Sequence, residues 1–236
     1  MTTPTLTIGI LSWGAHKTLI NTLESYRQWG LDRLGDERLI FFQEISDYEK
    51  QLAGDYGYIP IGAPSNIGIA EGYKALVEST TSDLFLFLEN DWLLIDEPVD
   101  PITIGKKMLE VGIADVIRYR DRKHPGNPLW TSQFLGREYD RPTHLLDAVH
   151  YHNDEELAQF PELETVEIGD SIWWRTNAKN ANWTNNPTLF RTEFLRQHIL
   201  PHMGSRDVEL DLQSWWEQQD YLVAQGDGLF THWRIG

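Results

Sequence analysis

Over its first 90 residues the chain alternates between two hydrophobic periods, and that alternation restricts the fold more than any single residue does. "TLTIGILSW" (5–13) reads as a strand, and "KTLINTLESYRQWG" (17–30) places Leu19, Leu23, Tyr26 and Trp29 at helical spacing and stops at Gly30. "RLIFFQEIS" (38–46), "YIPIGAPSN" (58–66) and "DLFLFLEN" (83–90) read as further strands. Between them lie "DYEKQLAGDYG" (47–57), opened by Asp47, and "IAEGYKALVEST" (69–80), both helical. Strands alternating with short helices predict a largely parallel sheet covered on both faces, hence an α/β fold. Downstream, 101–112 reads as a helix, 115–120 and 170–177 as strands, and 124–130 as a loop. Pro187 and Thr188 are expected to open a helix over 186–203. No repeat or low-complexity linker interrupts the 236 residues, so one domain is expected.

A net charge of −16 argues against nucleic acid as a partner, because the long-range field repels it. With no cysteine there is neither a disulfide framework nor a thiolate metal site. No run approaches the ~20 apolar residues of a membrane span, and the start lacks a basic, then apolar, leader, so a cytoplasmic protein is expected. The same acidity means that a phosphorylated ligand would need local positive charge, which a divalent cation held by carboxylates supplies. The ten tryptophans are an excess, and "IWWRTN" and "NANWTNN" put several in polar company, where flat rings suit sugars.

In an open parallel sheet, ligands collect outside the carboxyl ends of the strands. That edge gathers Ser12, Trp13, Glu44, Asn66 and the tip Glu89-Asn90-Asp91, where an apolar strand ends abruptly in two carboxylates and an amide. Hard oxygen ligands there suit Mg²⁺ or Mn²⁺ against a pyrophosphate. The first strand-to-helix turn, "GILSWGAHKT", has neither the dinucleotide glycine pattern nor a Gly-Lys-Ser/Thr phosphate loop.

Together, "TLTIGILSW", "FFQEISD", "SNIGIAEGYKAL" and "FLFLENDW" resemble, in order and spacing, the nucleotide-sugar glycosyltransferases of the GT-A fold, close to the large inverting family 2 and to its compact bacterial and virus-encoded forms. Glu44-Ile45-Ser46-Asp47 is similar to the family's acid at the end of the second strand. Asn66, Gly68, Ala70 and Gly72 match its Asn-x-Gly-x-Ala-x-Gly pattern, and Glu89-Asn90-Asp91 stands for its Asp-x-Asp metal motif with the first acid changed. "NNPTLFRTEFL" and "GLFTHWRI" extend the likeness over most of the chain.

The resemblance implies a single GT-A domain, Rossmann-like with a mixed sheet, whose residues 1–95 bind the nucleotide and 96–236 the acceptor. It implies an inverting transfer of a sugar from a nucleoside-diphosphate donor to a hydroxyl of a glycan or other acceptor. Glu44 would touch base or ribose, and Asn66 and Gly68 the nucleotide-binding turn. Asp91 is expected to ligate Mn²⁺ or Mg²⁺ directly, with Glu89 and Asn90 on the donor side. Trp173, Trp174 and Trp183 would shape the acceptor side; core packing is the competing account, and the favoured one for at least one of the adjacent pair, because neighbours in a strand point to opposite faces.

For the base that deprotonates the acceptor, "SRDVELDLQSWW" offers Asp207, Glu209 and Asp211. If this stretch is helical, Asp207 and Asp211 share a face; if it is extended, all three do. Glu209 is the first choice and Asp207 the second. Finally, Leu229, Phe230 and Trp233 are apolar enough to dock the tail after Gly226 and Gly228, which would let the His232 imidazole reach the cation at Asp91. A sugar nucleotidyltransferase and a non-catalytic carbohydrate-binding relative are the competing functions; the former lacks its Gly-rich basic turn at residues 9–18.

Overall fold

A computed structural model describes residues 4–126, 142–204 and 208–234, the side chains of 142–144 and 210 excepted. Four parallel strands open the fold: β1 (Leu6–Ser12), β2 (Glu37–Phe42), β3 (Ile59–Gly62) and β4 (Leu84–Glu89). They are linked by α1 (His16–Trp29), α2 (Asp47–Asp55) and α3 (Ile69–Ser79). β1 lies between β2 and β4, and its register sets Leu11 beside Glu89, so β4 carries its acid to the carboxyl edge level with the end of β1.

The rest of the sheet is mixed. After β5 (Trp92–Leu94), α4 (Val99–Glu110) and β6 (Val116–Arg120) come β7 (Glu164–Ile168), β8 (Ser171–Asn177), β9 (Thr188–Arg191), α5 (Val208–Trp216) and β10 (Leu222–His232). Among the described residues the strand order is β3-β2-β1-β4-β9-β6-β10-β8-β7, with β5 on β10. β9 runs antiparallel to both neighbours, and β10 runs parallel to β6 but antiparallel to β8 and β5.

Each face of the sheet has its own core. Leu6, Ile8 and Ile10 of β1 pack with Leu19, Leu23 and Tyr26 of α1 and with Met108 and Leu109 of α4. Leu11 and Phe41 face Ala70, Tyr73 and Leu76 of α3, in a core that extends to Leu212 and Trp216 of α5. α3 lies close to the sheet at Gly72, where a Cβ would come within 2.7 Å of the Leu11 side chain and 2.8 Å of the Gln43 amide. Gly72 is therefore a packing glycine on the sheet side of α3.

Two expectations change here. The helix read over 186–203 begins only at Thr192; Thr188–Arg191 is β9, because a strand there fills the gap between β4 and β6 and its Leu189 and Phe190 supply both cores. The tail docks by Leu229 and Phe230, both fully buried, but it does so as the far end of β10, whose register shifts between Gln225 and Phe230, and Trp233 beyond the strand is exposed.

Candidate active site

α1 builds the acid-bearing turn by holding its backbone. Thr22 Oγ1 donates to the Asn90 carbonyl (2.8 Å) and Tyr26 OH to the Trp92 carbonyl (2.7 Å), while the Leu94 amide donates to Ser25 Oγ (3.1 Å). The Asn90 amide bonds Leu11 O of β1 (3.1 Å) and the Trp233 amide bonds Asp91 O (2.8 Å). With the carbonyls satisfied from these sides, the Glu89 and Asp91 carboxylates need not support the turn.

β10 runs antiparallel to β5 with His232 opposite Trp92, which puts His232 Nε2 3.1 Å from Asp91 Oδ2. Asp91 Oδ1 is buried with no hydrogen-bond partner. A buried carboxylate oxygen without a donor is costly, and a cation is what such an atom accommodates. The carboxylate oxygen suits either Mn²⁺ or Mg²⁺, and the imidazole nitrogen favours Mn²⁺ of the two. Among the described residues no three Asp, Glu or His side chains cage an ion by themselves; substrate phosphates would complete the shell, as they do where one or two carboxylates hold Mg²⁺.

Glu209, in the first turn of α5, accepts hydrogen bonds on Oε1 from the Asn185 amide (2.8 Å) and Thr184 Oγ1 (3.1 Å). The segment is helical from Val208, so Glu209 points at 184–185 while Asp211 lies exposed; Asp207 lies outside the described residues. Burial, then the charges of Asp91 and Glu209, push the Glu89 carboxyl up to about 8, opposed by Arg234. Acids from β4, the following turn and α5 thus lie near enough for the charges of Asp91 and Glu209 to act on Glu89.

That value carries a pH prediction. Between the ordinary 4.5 and about 8 the folded chain keeps a proton on Glu89 that the unfolded chain has lost. Stability therefore falls as pH rises through that window and levels off above it. Urea unfolding is expected to show Glu89→Gln more stable than the parent at about pH 8, with the advantage gone near pH 4. An advantage independent of pH would place Glu89 outside the acid cluster.

The residues expected to face a nucleotide lie at the carboxyl ends of β1 and β2 and before α3. Ser12 is buried with Oγ unpartnered, Glu44 and Asn66 are exposed, and Asn66 Oδ1 accepts from the Gly68 amide (2.8 Å) to form the turn before α3. The sequence reading missed Gln43, whose buried amide fixes that turn by donating to Gly68 O (2.8 Å) and accepting from Ile67 N (2.9 Å).

The acceptor-side tryptophans need correction. Trp173, Trp174 and Trp183 are only 3%, 1% and 3% exposed. Trp183 stacks on Phe190 and meets Trp216 edge-on, and Trp174 Nε1 donates to Asp154. Their ring faces are used up in the core. Among the described residues the exposed indoles are Trp13 (58%) and Trp233 (56%), which follow Ser12 and His232 at the acid edge.

Also missed was a buried basic row on β6. Arg118 bonds Asp147 Oδ1 (3.4 Å) and Asn182, and Arg120 bonds the carbonyls of Pro125 (2.9 Å) and Gly126 (3.2 Å). Beyond the strand, Arg122 bonds Val149 O (3.1 Å) and Asp154 (3.0 Å). Burial and the Arg120 and Arg118 charges push His150 down to about 3, so it is neutral. The signal was present: arginine at every second position of "RYRDR" has no place in an ordinary buried strand.

No protein-family model and no curated protein matches the chain, but solved structures do. Staphylococcus aureus TarS (residues 1–349), also solved with UDP-GlcNAc, superposes with a TM-score of 0.62 at 11% identity, over 97% of this chain and 60% of that one. GalNAc-T7 with UDP, GalNAc and Mn²⁺ gives 0.64 at 9% identity, over 99% and 45%. Glucosyl-3-phosphoglycerate synthase from Mycobacterium tuberculosis, in complex with phosphoglyceric acid, gives 0.53 at 14%, over 99% and 73%. The chain has the GT-A fold of nucleotide-sugar glycosyltransferases. It spans about 60% of that TarS segment. Among the described residues no helix is long and apolar enough to cross a membrane.

Proposed function

We propose that the chain is a metal-dependent glycosyltransferase that moves a sugar from a nucleoside diphosphate to a hydroxyl acceptor with inversion at the anomeric carbon. The observation that carries the reading is the contact of His232 Nε2 with Asp91 Oδ2 (3.1 Å) at the carboxyl edge of a GT-A sheet, beside a Glu89 carboxyl that feels the charges of Asp91 and Glu209. Asp91 and His232 would hold the cation, which would supply positive charge to neutralise the departing diphosphate. Glu89 and Asn90 face the donor sugar, and Ser12, Trp13, Glu44, Asn66 and Gly68 line the nucleotide. Glu209 takes the acceptor hydroxyl proton as that oxygen attacks the anomeric carbon and the bond to the diphosphate oxygen breaks. The Thr184 and Asn185 donors keep the carboxylate oriented for that transfer.

The test is a thermal-shift screen of UDP- and GDP-sugars with and without Mn²⁺, followed by assay of nucleoside diphosphate release. A melting temperature raised only by donor with Mn²⁺, together with release, is expected, because a ligand confined to the native state stabilises it. Donor binding without release would mark a non-catalytic relative. Formation of a nucleotide sugar from nucleoside triphosphate and sugar phosphate would mark a nucleotidyltransferase.

A further inference from the structure

We propose that Arg120 and Gly126 form a clamp that sets the His232 imidazole against Asp91, making Arg120 a positioning residue for the cation site; this rests on reading Asp91 and His232 as the cation's ligands. Arg120 sits at the end of β6, in the interior, yet it reaches a loop. Its Nε donates to the Pro125 carbonyl (2.9 Å) and its Nη2 to the Gly126 carbonyl (3.2 Å). The Pro125 carbonyl also accepts from the His232 amide (3.2 Å). One oxygen is thus shared between the guanidinium and the backbone of the histidine.

Gly126 completes the contact. It pairs with His232 as a parallel bridge at φ +72°, and a Cβ there would overlap the His232 backbone, coming within 2.8 Å of its carbonyl carbon. Only glycine allows that approach without strain. The ring is held as well: the Arg120 guanidinium lies 5.2 Å from the Trp92 ring centroid, and Trp92 meets the His232 imidazole edge-on at 5.0 Å. Arg120 therefore reaches His232 by two routes, through the loop to its backbone and through Trp92 to its ring.

Anchoring the loop for stability alone is a weaker account. Asp121 Oδ1 already shapes the loop by accepting from the Lys123 (2.9 Å) and His124 (2.5 Å) amides. Burial lowers the Arg120 pKa, a sign that the guanidinium is kept there at a cost. What Arg120 adds is attachment of that loop to the strand end bearing His232. Groups behind a ligand commonly govern metal affinity about 10–100-fold.

The experiment measures Mn²⁺ binding by electron paramagnetic resonance in the parent, Arg120→Lys, His232→Ala and the double variant. Lysine keeps the charge but not the planar fork that engages two carbonyls. Arg120→Lys and His232→Ala are each expected to weaken Mn²⁺ binding about tenfold or more. The double variant should bind as His232→Ala does, because a clamp has no effect once its ring is gone. The near- and far-ultraviolet circular-dichroism spectra of Arg120→Lys should match the parent's, which a collapsed edge would not preserve. Losses that add in full in the double variant, or parent-like binding by Arg120→Lys, overturn the clamp. Parent-like binding by His232→Ala overturns the ligand assignment beneath it, and so separates the two failures. Gly126→Ala should reproduce the Arg120→Lys loss; a variant that folds and binds Mn²⁺ normally counts against the clamp.

Discussion

Asp91→Asn is expected to lower metal-dependent donor turnover by about three orders of magnitude, since the cation's share of transition-state charge stabilisation is several kcal/mol. Asparagine preserves the shape but removes the negative charge shared by Oδ2, which faces His232 Nε2, and the unpartnered Oδ1. The fold should survive, because the turn's backbone is held by Thr22, Tyr26, Leu11 and Trp233 and not by this carboxylate. Turnover at saturating Mn²⁺ and a circular-dichroism melt check both halves. Undiminished turnover would remove the cation from the reaction.

Glu209→Gln is expected to lower kcat about 10²–10⁴-fold while leaving donor affinity nearly unchanged, the profile of a group that acts in the transition state. The amide oxygen of glutamine still accepts from Asn185 N and Thr184 Oγ1, so the local structure loses little. Single-turnover kinetics with measured donor Kd separate the two effects. A variant with parent kcat and weakened donor binding would make Glu209 a donor ligand and return the base to Asp207.

The parallel half of the fold was legible because each element carried its own period and its own punctuation. Leu19, Leu23 and Tyr26 repeat at helical spacing up to Gly30, which does cap α1, and the apolar run of β4 ends where its acids begin. The second half was less so because tertiary pairing overrode local pattern. Thr188–Arg191 continues the apolar spacing of the helix that follows it, and only the gap between β4 and β6 makes it a strand. "LVAQGDGLFTH" carries two glycines and an aspartate, which read locally as a turn; they mark the shift in register of one long strand.

At the site, the close approach of His232 to Asp91 was anticipated from an apolar tail, although the tail reaches it as a paired strand. The tryptophans misled because polar sequence neighbours say little about a strand: Trp173 and Trp174 point to opposite faces and each meets a core. The role of Gln43 depends on a loop carbonyl 25 residues along the chain, and that of Arg120 on a nearby loop that pairs with His232 over a hundred residues downstream, which no local pattern encodes.

The placement of β9 bears on how this protein can be cut. Residues 1–95 hold all four parallel strands that open the fold, but β4 is apolar on both faces and its outer edge is paired along Leu84–Phe87 by Thr188–Arg191, about a hundred residues downstream. A fragment ending after β5 would bare that edge, a flat apolar row of unpaired amides and carbonyls that templates intermolecular pairing. Such a fragment should enter inclusion bodies, whereas one that also supplied 188–191 in trans would have a strand to cover the edge.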